Sequence, residues 1–143
     1  MKKFLLILVA VLCATSASAQ FKVEQQQKMP EVVWQDGFRW VALYEQDLGN
    51  GEYYYMIGLR TSNQFDDKLL IYLGKREKAK ATLLQLQNDL YEGGKTYNLS
   101  DDKGESFTLI CQPFNMYHIY KSGYAGYGFI KLGQLPKILS LFE

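Results

Sequence analysis

A change of hydrophobic period constrains this 143-residue chain more than any other feature. Apolar and polar residues alternate through most of 38–73 and 106–132, but between Lys75 and Tyr91 the apolar positions are Ala79, Leu83, Leu86 and Leu90. That four-three-four spacing draws one apolar stripe along an amphipathic helix. Strand-period segments on both sides of one long helix predict an α+β fold. The expected form is an antiparallel meander sheet with helices on one face.

Phe38, Trp40, Ala42 and Tyr44 alternate with Arg39, Val41, Leu43 and Glu45, which predicts a strand whose apolar face is the first row. The segment Asp47-Leu48-Gly49-Asn50-Gly51 supplies a turn, and its Asn-Gly pair tolerates positive φ. Tyr53, Tyr55, Ile57 and Leu59 then share one face of a second strand, completing a hairpin. A polar turn over 62–67 leads to a third strand, Leu69 to Leu73. Gly93-Gly94, after the helix, suit a left-handed C-terminal cap.

The second half repeats this order. Thr96 to Leu99 reads as a short strand, Asp101 to Gly104 as a turn, and Ser106 to Gln112 as a strand with Phe107, Leu109 and Cys111 inward. Pro113 ends that strand. Met116 to Lys121 and Tyr127 to Leu132 form a hairpin around Ser122-Gly123, and Pro136 opens a short helix through Phe142. Ile71-Tyr72-Leu73-Gly74-Lys75 and Ile130-Lys131-Leu132-Gly133-Gln134 echo one another at strand-to-helix junctions. The echo is compatible with two βββα-like halves.

The N-terminus reads as an address. Lys2-Lys3, the apolar run Phe4 to Leu12 and small residues up to Ala19 have the pattern of a cleaved secretory signal over 1–19, and look like a bacterial export signal. Cys13 follows Leu12 rather than a small residue, so soluble export is expected and not a lipoprotein anchor. Residues 20–31 are polar and Gln-rich and read as a flexible leader; a single domain is expected over 32–143. Removing 1–19 leaves 14 Lys and Arg against 15 Asp and Glu. A near-neutral chain has no strong field to steer it onto nucleic acid. Cys111 is then alone, so no internal disulfide is expected. No later apolar run approaches the length of a membrane span, and the periplasm or the exterior is the expected location.

Catalytic motifs are scarce. His118 is the one histidine, and no His-Glu-x-x-His, Cys-x-x-Cys or Gly-x-Ser-x-Gly pattern occurs. His118 is read as a strand residue with its ring at the sheet surface, and Cys111 as a core thiol. Asp66-Asp67, Asp101-Asp102 and Glu105 fall in turns, where Asp bonds nearby backbone. The stretch Asn98 to Gly104 mimics alternating oxygen ligands, but Lys103 and Leu109 stand where a calcium loop needs Gly and Glu. No cofactor and no metal are expected.

Aromatics are the compositional excess, with 11 tyrosines and 2 tryptophans. Tyrosine offers a large contact area with a polar tip and few rotamers to freeze. Tyr54, Tyr117, Tyr120, Tyr124 and Tyr127 are the candidate binding residues, and Lys75, Arg76, Lys78 and Lys80 a candidate patch for an anionic partner. The expected function is a small exported binding module, without catalysis, that recognises a protein or an envelope glycan. A hydrolase assembled from scattered acids, His118 and Tyr is the alternative, and a structural subunit of an envelope assembly the second. The oligomeric state is not encoded in any motif.

Overall fold

The computed structural model of the protein describes residues 28–62 and 68–143. The signal segment, most of the leader, and the turn carrying Asp66-Asp67 lie outside the described residues. Strands β1 (Glu31–Gln35), β2 (Val41–Gly49), β3 (Glu52–Leu59) and β4 (Leu69–Lys75) form one antiparallel meander. A second meander holds β5 (Thr96–Ser100), β6 (Ser106–Gln112), β7 (Met116–Lys121) and β8 (Gly128–Lys131). Each runs into a helix: α1 (Arg76–Asn88) follows β4, and α2 (Leu135–Leu139), flanked by 3₁₀ turns, follows β8. The fold is α+β, built as two four-stranded sheets and two ββββα halves.

The α+β meander holds, divided into two four-stranded sheets, and the first half gains a fourth strand because β1 pairs beside β2. The β1 sequence Glu-Val-Val-Trp-Gln shows no alternation, and its edge position leaves Val32 and Val33 exposed. Two other expectations are corrected. The inward row of β2 is Val41 and Leu43, both fully buried, whereas Phe38 is 80% exposed. Arg39 adopts a φ of 59° in the turn before β2, which breaks the alternation and resets the face. Gly93-Gly94 do not cap α1: the helix closes at Asp89, whose N–H donates to Gln85 O at 2.9 Å. Gly94, with φ 81°, serves the turn into β5, its N–H donating to Cys111 O at 3.0 Å.

The Asn50-Gly51 turn adopts positive φ at both positions, 56° and 74°, and sets the β2–β3 register. Tyr55, Ile57 and Leu59 of β3, Ile71 and Leu73 of β4, and Ala79, Leu83 and Leu86 of α1 meet Leu109, Cys111, Tyr117, Ile119 and Ile130 of the second sheet in one core. Tyr117 is wholly buried, and its hydroxyl donates to Leu86 O at 2.6 Å, which ties β7 to α1.

The edge of β4 explains how the halves join. Edge N–H and C=O groups need partners when covered. The β5–β6 turn supplies them: Asp102 N donates to Tyr72 O at 2.8 Å, and Tyr72 N donates to Asp101 Oδ2 at 3.3 Å. Lys121, pointing inward from β7, donates to Leu70 O at 2.5 Å, to Asp101 Oδ2 at 3.2 Å and to the Glu105 carboxylate. The Asp101 side chain is fully buried and that of Lys121 is 4% exposed. At the opposite flank Ser62 N donates to Tyr127 O at 2.8 Å. Gly128 lets β8 approach there: a Cβ on it would lie 2.6 Å from Leu59 Cβ.

Candidate functional site

Alternation in the second sheet divides its side chains between two environments. Leu109, Tyr117, Ile119 and Ile130 face the core. The opposite row pairs Ile110 with His118 and His118 with Phe129 across three strands, while Thr108 lies beside Tyr120. Met116, His118 and Tyr120 are successive residues of this row on β7. Both helices place their buried residues in the core, on the other side of this sheet. The outer face therefore carries its apolar and aromatic residues half-exposed.

Its centre is an aromatic cluster. The Tyr127 ring stacks on the His118 imidazole with centroids 4.2 Å apart and planes at 19°, and Tyr120 lies 5.5 Å from Tyr127. Phe129 packs against Trp40 at 5.4 Å, and the Arg60 guanidinium sits 5.1 Å over Trp40. Thus the first half contributes residues to the border of this face. Burial lowers the His118 pKa, which favours the neutral imidazole and suits it to stacking. Tyr120 is 39% exposed, and Phe114 projects 95% exposed from the β6–β7 turn.

Of the five tyrosines singled out in the sequence, only Tyr120 and Tyr127 share this cluster. Tyr117 faces the core. Tyr124 is partly buried against the core and lines a recess with Tyr72, Glu105 and Lys121. Tyr54 belongs to the first sheet, where its hydroxyl donates to Asp102 Oδ2 at 2.7 Å. Burial and this bond raise the Tyr54 pKa. The residues that sequence reasoning missed are Trp40, Arg60, Phe114, Met116 and Phe129. The parity of β7 was the available signal, since it opposes Tyr117 to His118 and Tyr120.

The cations at the junction of β4 and α1 are largely met within the chain. Lys75 pairs with Glu52 at 2.9 Å, Lys78 with Asp102, and the Arg76 guanidinium lies 5.5 Å over the Phe142 ring. Lys80 is half-buried on the helix. Hydrogen bonds from Lys78 and Tyr54 hold the Asp102 carboxyl below its ordinary pKa. Asp101 Oδ1 accepts the N–H groups of Lys103 at 3.0 Å and Glu105 at 2.9 Å, so it organises the turn as well as the seam. Among the described residues no group of three or more His, Cys, Asp or Glu is placed to hold a metal ion, and no helix is long and apolar enough to cross a membrane. Cys111 is buried, and its thiol contacts Leu90 O at 3.5 Å.

No known protein family, curated protein or solved structure matches this chain.

Proposed function

We propose that this chain is an exported, non-catalytic binding module that recognises a protein of the cell envelope through the outer face of its second sheet. The observation that carries the reading is the His118–Tyr127–Tyr120 cluster, held on a sheet face that the helices leave open. Rings already packed against one another lose little rotamer freedom when a partner covers them, which lowers the entropic cost of association. The export address rests on residues 1–19. Of the turn carboxylates singled out in the sequence, those among the described residues, Asp101, Asp102 and Glu105, are engaged with Lys121, Lys78 and Tyr54 and with turn backbone. That arrangement favours binding over hydrolysis.

Affinity capture with residues 20–143 as bait, against envelope and medium fractions, tests this. The expected result is one stoichiometric protein whose retention falls at least about thirtyfold with the Tyr120→Ala/Tyr127→Ala double variant, a loss typical of central interface aromatics. A circular-dichroism spectrum checks that the variant keeps its fold. Equal capture by both forms would reject this face as the binding surface. A ligand that proves to be a glycan would reject the protein partner while keeping the face.

A further inference from the structure

A second feature lies on the other side of the same sheet. Helix α1 packs chiefly on β3, β4 and α2, and a slot lies between the helix and the edge strand β5. The slot deepens into a cavity of about 130 Å³ whose inner wall includes Ile57, Leu73, Leu86, Leu109, Ile119 and Ile130. Its mouth is formed by Thr82 and Gln85 on α1 facing Leu99, Ser100 and Phe107. Among the described residues no ionisable side chain lines it. A water inside would find few polar partners, and apolar cavities of this size stay dry and accept apolar guests.

We propose that this cavity is a binding site for a short unbranched alkyl chain, the tail of an uncharged amphiphile whose polar head rests at Thr82, Gln85 and Ser100. The size sets the tail length: a void near 150 Å³ takes a benzene-sized body, so on the order of six carbons fill this one. The rim sets the head. Gln85 and Ser100 offer uncharged amide and hydroxyl groups, Thr82, whose proton goes to Lys78 O at 2.9 Å, offers its oxygen as an acceptor, and the Lys78 ammonium is already paired with Asp102. An anionic head therefore gains no cation there, whereas an alcohol or amide keeps its hydrogen bonds.

The test is a titration of the protein with 1-butanol, 1-hexanol, 1-octanol and hexanoate, followed through side-chain methyl NMR shifts. Saturable shifts confined to the cavity methyls, such as those of Ile57, Leu86 and Ile119, are expected. Affinity should tighten about fourfold per added methylene and level off near six carbons. Hexanoate should bind at least tenfold more weakly than 1-hexanol. Leu99→Trp, a change at the half-buried mouth, should abolish these shifts while the other methyl resonances stay in place. Should that variant fail to fold, Thr82→Trp closes the same mouth from a half-buried helix position. Shifts that do not saturate, that spread over the surface, that persist with the mouth blocked, or that are absent altogether would each overturn the proposal.

Discussion

Lys121→Met is expected to destabilise the fold by about 3 kcal/mol, read as a drop in urea midpoint at unchanged slope. The Lys121 side chain is 4% exposed, and its ammonium bonds Leu70 O, Asp101 and Glu105 at once, bridging the two halves. Methionine fills similar volume but leaves the buried Asp101 carboxylate without its cation. Truncating one partner of a buried pair typically removes about 3–5 kcal/mol. The lower end applies because Asp101 keeps the N–H groups of Tyr72, Lys103 and Glu105. Glu105→Gln should lose under about 1 kcal/mol, since that carboxylate is 51% exposed and water replaces what is lost. Lys121→Met with Asp101→Asn should destabilise by less than the sum of the single changes, which a double-mutant cycle reads directly.

The same lysine gives a pH signature. Burial pulls its pKa down, but hydrogen bonds to Glu105 and Asp101 outweigh this and leave it above the ordinary 10.5. A raised folded pKa contributes stability that is complete below 10.5 and is lost as pH rises through the folded value. The wild-type chain should therefore show an alkaline decline in that window from which this component is missing in Lys121→Met. An unchanged alkaline limb would mean that Lys121 does not carry the linkage.

Leu83→Ala is the second large expected effect, about 2–5 kcal/mol by chemical denaturation. Leu83 is fully buried at the centre of the α1 stripe, in the core that joins both sheets. The deletion forfeits transfer energy and leaves a void beneath a helix already held by β3, β4 and α2. Leu84→Ala, one residue on, should change stability by less than about 1 kcal/mol, because Leu84 is 39% exposed. A reversal of this contrast would put the helix in the wrong rotation.

The α1 stripe and the hairpin turn were legible in the sequence because their signals are local. Spacing reports which helical residues share a face, and Asn50-Gly51 matches the backbone the turn requires. Strand β1 was not legible, since its five residues acquire meaning only by pairing with β2. The seam was equally hidden: Asp101 read as a turn former, which it is, but its contact with Lys121 spans 20 positions. The tyrosine cluster was half legible. Composition drew Tyr117, Tyr120, Tyr124 and Tyr127 together, whereas strand parity separates the buried Tyr117 from the outward Tyr120. His118 was rightly placed at the sheet surface, yet its stacking on Tyr127 depends on the register between β7 and β8.

Tyrosine nitration mapped by mass spectrometry, with and without envelope extract, tests the recognition face most directly. Tyr120 and Tyr53 are nearly equally exposed, at 39% and 38%, but lie on different sheets, so each is the internal control of the other. The account predicts that a partner slows modification of Tyr120 several-fold while Tyr53 reacts as before. Protection of Tyr53 with Tyr120 unchanged, or no protection of either, would contradict it.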